Sequence, residues 1–202
     1  MKKLSSLLVL AVSFVVVSCA STTHPKKAIP AYFPAGVVND FEQGWFGSDL
    51  SAMKEPVLSA AGKPSGYFAL RILLLPTWGP PVAVRYETDG AHGTYRSVML
   101  SGQGGYDPGK FKAGKTVPLT QGEIAALHLS LDQSGYWSLP QKDDVMGMDG
   151  DELVMETIQN GEHRVLVRWT PSANARERKL ERLVSFYTSE FKKAGFWPQS
   201  NE

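Results

Sequence analysis

The sequence predicts an α+β domain: an antiparallel sheet of about five strands, a meander followed by a hairpin, with two main helices packed on one face. Three observations point there. Residues 67–75, 82–88 and 95–101 are strand-like runs joined by short turns rich in Gly and Pro, the pattern of a meander. Asn160-Gly161 lies between two further runs, 153–158 and 163–169, and suits the positive φ that a type I′ hairpin turn needs at both central residues. Segments 120–135 and 174–194 carry apolar residues at helical spacing.

The chain opens on a basic head, Lys2-Lys3, an apolar run to Val17 and a small-residue exit, Ser18-Cys19-Ala20. That is the composition of a secretory signal, and it is short for a bilayer span of about 20 apolar residues. The expected organisation is a signal peptide over 1–18, a flexible tether over 19–36 and one globular domain over 37–198. Residues 21–36, with Ser, Thr, Pro and Lys26-Lys27, read as an extended, poorly ordered linker.

Asn39 or Asp40 is placed to cap a short helix over 41–53, which ends before Pro56. Residues 67–75 are apolar apart from Arg71, as a doubly buried strand would be. Residues 82–88 alternate, with Val82, Val84 and Tyr86 on one face and Ala83, Arg85 and Glu87 on the other. Residues 102–115 read as a glycine-rich loop. It lacks the Lys-Ser/Thr ending of a phosphate loop and follows a meander strand, so flexible backbone is the simpler purpose. Thr120-Gln121-Gly122-Glu123 has capping-box spacing, and Gly135 suits a left-handed helix end. The hairpin turn pairs Glu156 with Val165, Ile158 with His163 and Met155 with Leu166.

The 202-residue chain has formal net charge +1. Of its 21 basic residues Lys2 and Lys3 leave with the signal, so 19 face 20 acidic ones, a net of −1. No bulk charge points to nucleic acid. The single Cys lies in the signal segment, so the domain rests on packing without a disulfide and has no thiolate zinc site. Asp143-Asp144 and Asp149 to Glu152 form an acidic cluster without EF-hand spacing, and turn chemistry accounts for Asp149-Gly150. No metal and no cofactor are expected. His163 and Glu156 fall on one sheet face, the geometry of an oriented base, but no nucleophile motif accompanies them. Arg71, Arg85, Arg96, Arg164 and Arg168 all lie in predicted strands. Several on one face would make an anion site, with Arg71, Arg85 and Arg168 the candidate ligand-binding residues. The alternative is a sheet face on which they alternate with Glu87 and Glu156.

Val16-Val17-Ser18-Cys19 resembles the lipobox of bacterial lipoproteins. The resemblance implies that Cys19 is the lipidation site, carrying diacylglycerol and an amide-linked palmitate-type chain, enough acyl chains to hold the membrane stably. Ala20 stands where an Asp would retain a lipoprotein in the inner membrane, so the resemblance implies the outer membrane, with the domain facing the periplasm. A cleaved signal and a soluble periplasmic domain is the alternative. Ala69-Leu70-Arg71 through Arg85, Ser134-Gly135-Tyr136-Trp137-Ser138-Leu139-Pro140, and Gly147-Met148-Asp149-Gly150 through Arg168-Trp169-Thr170-Pro171 are similar to a loosely defined family of uncharacterised bacterial lipoproteins. Met155 departs from the aromatic expected there. The resemblance implies a shared fold and carries over no catalytic residue. The expected function is a lipid-anchored domain that binds or scaffolds an envelope protein or glycan. The second reading is a small-ligand or anion-binding domain using the strand arginines, and the third is a hydrolase. Spread aromatics fill a core, whereas a surface cluster of them would mark a partner site.

Overall fold

A computed structural model describes residues 29–196. The signal, Cys19 and the first part of the tether lie outside the described residues. The fold is α+β around one antiparallel sheet. In chain order the elements are α1 (Asp40–Ala52), β1 (Phe68–Pro76), β2 (Val82–Thr88), β3 (Gly93–Leu100), β4 (Phe111–Leu119), α2 (Gln121–Gln133), a single 3-10 turn at Tyr136–Ser138, β5 (Asp151–Gln159), β6 (Glu162–Trp169) and α3 (Glu181–Ala194). The sheet order is β4-β3-β2-β1-β5-β6. The hairpin register matches the turn chemistry: Glu156 faces Val165 and Ile158 faces His163. β1, flanked by β2 and β5, is central and buried on both faces, which explains its continuous apolar run.

Two cores sandwich the sheet. Leu70, Ile72, Val84, Tyr86 and Leu166 point to α2 and α3, where Leu131, Leu183 and Phe191 meet them. Leu73, Leu75, Ala83, Val98 and Val165 point the other way, to Phe46, Leu50 and Met53 of α1. Alternation along each strand decides this division. α2 and α3 thus share one face, as the sequence predicts, and α1 covers the other. Both capping boxes form: Asn39 accepts from the Glu42 amide at 2.9 Å, and Thr120 from the Glu123 amide at 3.3 Å.

Three features differ from the sequence reading. The sheet has a sixth strand, β4, which begins within the 102–115 stretch that reads as a glycine-rich loop and runs on to Leu119. As an edge strand exposed along most of its length, with Lys112 and Lys115, it needs no apolar alternation. The last helix starts at Glu181, not near 174. Asn174 and Lys179 sit at φ of 50° and 57°, which a right-handed helix excludes. Residues 171–179 instead wrap the Arg178 guanidinium, which donates to the carbonyls of Thr170 at 2.8 Å and Trp169 at 3.0 Å and to the Asp143 carboxylate at 2.8 Å. The domain also starts before 37: Tyr32 and Phe33, read as tether, are buried under α1, where Phe33 meets Phe46 edge to face. Removing the Arg178 side chain deletes its bonds to four acceptors, the Asp143 carboxylate and the carbonyls of Trp169, Thr170 and Ala173, so Arg178→Ala is expected to cost about 2–4 kcal/mol in urea unfolding, with the α3 helical signal retained in the folded protein.

Candidate functional site

The strand arginines divide by parity. Arg71 and Arg85 share the α1 face with Arg96, while Arg168 points to the opposite face with Arg164. The three on the α1 face converge on Glu55, just beyond α1. Arg85 Nε donates to it at 2.8 Å, Arg71 Nη1 stands 3.7 Å away, and Arg96 Nη1 pairs with its other oxygen. Arg71 also donates to the Pro56 carbonyl at 2.7 Å and pairs with Glu156, whose second oxygen lies 2.7 Å from His163 Nε2. Arg85 further pairs with Glu87. Arg71 is 1% exposed. The cationic row and the His163–Glu156 pair are therefore parts of one ion network, built from the charges of the domain itself. On the other face Arg168 donates to the carbonyls of Pro140 at 2.5 Å and Gln141 at 3.0 Å, and Arg164 to that of Leu139. These two fix the 139–141 segment against the sheet. Asp143 is engaged by Arg178 and Arg168. Among the described residues no three His, Cys, Asp or Glu side chains gather closely enough to hold a metal ion.

An open hollow lies elsewhere, along the outer side of α1 at one end of the sheet. It holds about 710 Å³, within the range of ligand pockets. Helical spacing puts Phe41, Trp45, Ser48 and Asp49 along its floor and wall, while Phe46 and Leu50 turn to the core. The glycine-rich segment after β3 supplies the facing wall with Gly104, Gly105 and Tyr106. Gly104 must be glycine: a Cβ there would stand 2.7 Å from the Leu75 backbone. This closeness lets Trp45 Nε1 donate to the Gly104 carbonyl at 2.5 Å, which ties α1 to the loop. The third side is Thr77, Met148 and Trp169. Thr77 and Gly150 exchange two hydrogen bonds, at 2.7 and 3.1 Å, so β1 and the 147–150 turn are locked together.

Large apolar side chains crowd this end. Phe41, Trp78, Tyr106, Met146 and Met148 are all exposed, Met148 at 93%. Phe41 rests on Trp45 with ring centroids 5.8 Å apart, and Trp78 on Tyr106 at 5.2 Å. A rimmed apolar concavity of this kind is the usual surface mark of a binding site. An adjoining hollow of about 360 Å³ shares Phe41, Trp45, Gly147 and Trp169 and adds Glu152, Asp143 and the Glu42–Lys142 pair, which closes at 2.5 Å.

Asp49 is 1% exposed, and its Oδ1 has no hydrogen-bond partner. Burial, reinforced by the charge of Asp107, pushes its carboxyl up to about 7. Burial pushes Glu152 up to about 8, with Glu42 adding and Lys142 opposing. Asp49 also lies in the last turn of α1, which carries no basic residue, so it faces the negative end of the helix dipole. None of this is legible in a motif. The available sign was α1 itself, with Gly44 at its centre and a Phe41–Trp45–Ser48 face opposite the apolar one.

No protein-family model matches the sequence, and no curated protein matches it.

A carboxyl whose folded pKa lies above its unfolded value binds protons more tightly when folded. Stability therefore falls as pH rises from about 4, where the unfolded group ionises, through about 7 for Asp49. Asp49→Asn removes that penalty. Its Tm is expected to exceed the wild type by about 3 °C or more at pH 9 and to match it near pH 4; an offset that does not change with pH contradicts the assignment.

Proposed function

We propose that this chain is a lipoprotein, acylated at Cys19 and held at the outer membrane, whose periplasmic domain binds an envelope component in the groove beside α1. The observation that carries the reading is the groove. It is the one place among the described residues where exposed aromatic and methionine side chains, a concavity and an unsatisfied buried carboxyl coincide. A domain with binding as its purpose needs such a patch, and aromatic anchors in a pocket are the residues that carry binding energy. The anchor rests on the Val16-Val17-Ser18-Cys19 pattern. Among the described residues no helix is long and apolar enough to cross a membrane. The strand arginines are engaged by Glu55, Glu87, Glu156 and backbone carbonyls, which turns the binding role away from them and toward the groove.

Two measurements test this. A photo-crosslinking phenylalanine analogue at Tyr106, used in intact cells, is expected to capture a discrete envelope component. Phe41→Ala, at a position 75% exposed and so little involved in folding, is expected to weaken that capture about tenfold, the usual effect of losing one aromatic anchor. Capture that Phe41→Ala leaves unchanged, or no capture at all, overturns the groove as the site. Palmitate labelling is expected in the wild type and lost in Cys19→Ser; equal labelling of both removes the anchor.

A further inference from the structure

Resting on that reading, we propose that the groove beside α1 recognises a primary ammonium group on an aliphatic chain, a lysine side chain of a partner polypeptide, which pairs with Asp49. The lining of the main hollow contains two carboxyl groups, Asp40 and Asp49, and no Lys, Arg or His. Asp49 lines the hollow, and one of its oxygens, Oδ1, is buried with no partner in the protein. A neutral apolar occupant would leave the Asp49 carboxyl without a partner. An anion would face Asp49, Asp107 nearby and the carbonyl end of α1 together. A cation reverses the sign of every one of these contacts.

The walls suit the same charge. Trp45, Phe41, Tyr106 and Trp169 border the hollow, and aromatic faces attract cations, most strongly where water is displaced. Their edges and Met148 offer apolar contact to the methylene stem that carries an ammonium. Asp49 is 1% exposed and its Oδ1 is fully buried, so it does not offer two parallel oxygens to a guanidinium fork, whereas a compact ammonium needs only one.

Gly44 supplies the space. It lies within the helix, where glycine is less favourable than alanine. A Cβ at Gly47 would meet Ile29 at 2.9 Å, so packing accounts for that glycine. A Cβ at Gly44 would meet nothing within 4 Å, yet Gly44 lines the hollow. No neighbour in the domain accounts for the missing side chain; an occupant lying across the helix does.

The test titrates the full chain in detergent, followed by tryptophan fluorescence, with the peptides acetyl-Ala-Ala-Lys-Ala-Ala-amide and its norleucine and glutamate counterparts, and with free pentylammonium. The lysine peptide is expected to bind about tenfold tighter than the norleucine peptide, or about 1.4 kcal/mol, with no binding of the glutamate peptide. Asp49→Asn is expected to erase that preference. Gly44→Ala is expected to keep Tm at or above the wild type, because it favours the helix, and to weaken the lysine peptide about tenfold. Equal binding of lysine and norleucine peptides overturns the ammonium assignment while leaving the groove as a site. Binding of no probe, with crosslinking from Tyr106 still seen in cells, overturns it likewise. Pentylammonium binding as tightly as the lysine peptide overturns the polypeptide source.

Discussion

Glu55 is the point on which the α1 side of the domain depends. Three adjacent strands each send one arginine to it or to the backbone beside it: Arg71 from β1, Arg85 from β2 and Arg96 from β3. Arg96 adds a bond to the Met53 carbonyl at 2.9 Å, and Arg71 one to that of Pro56. Buried ion pairs of this kind add little net stability compared with apolar packing, but removing one partner strands the others and costs about 3–5 kcal/mol. The consequence is positional. The network fixes where α1 ends, and Pro56 prevents the helix from running on. At the other end the Asn39 capping box and the Glu42–Lys142 pair fix where it begins.

A helix held at both ends turns one side to the sheet and leaves the other for a site. Phe46, Leu50 and Met53 fill the core, while Phe41, Gly44, Trp45 and Asp49 are left over to form the groove. The facing wall is set by backbone contact, with Gly104 against Leu75 and Thr77 against Gly150. Along this seam the sequence departs from what stability alone would choose. It keeps a glycine in mid-helix, a carboxyl at the wrong end of the helix dipole and without a partner, and methionine and aromatic side chains in water. Violations of local rules that collect in one place are the ordinary signature of a functional site. Elsewhere local rules hold at the capping boxes, the hairpin turn and the strand parity.

What was legible in the sequence was local. Asn160-Gly161 determined the β5–β6 register, and with it the meeting of Glu156 and His163. Thr120 and Gly135 marked both ends of α2. The rest needed contacts that no local pattern encodes. β4 was hidden because an exposed edge strand carries polar residues on both faces. The start of α3 was hidden because Arg178 draws residues 171–179 into turns that keep an apparent helical spacing. Strand alternation grouped the arginines, but their shared acceptor, Glu55, lies outside every strand. The hairpin register already set Arg168 opposite Glu156 in parity, whereas its distance from Arg71 and Arg85 follows only from the pairing of β1 with β5. The groove joins α1 to a loop about 55 positions downstream, so Asp49 gave no sign of its neighbours.

Native-state hydrogen exchange on Glu55→Ala, compared with the wild type, reads directly whether Glu55 holds α1 in place. The acceleration of α1 amides is expected to exceed that of β1 and β5 amides by about tenfold, since the sheet keeps its packing on α2 and α3 while the helix loses its tie. Equal acceleration in all three elements, or none in α1, contradicts it.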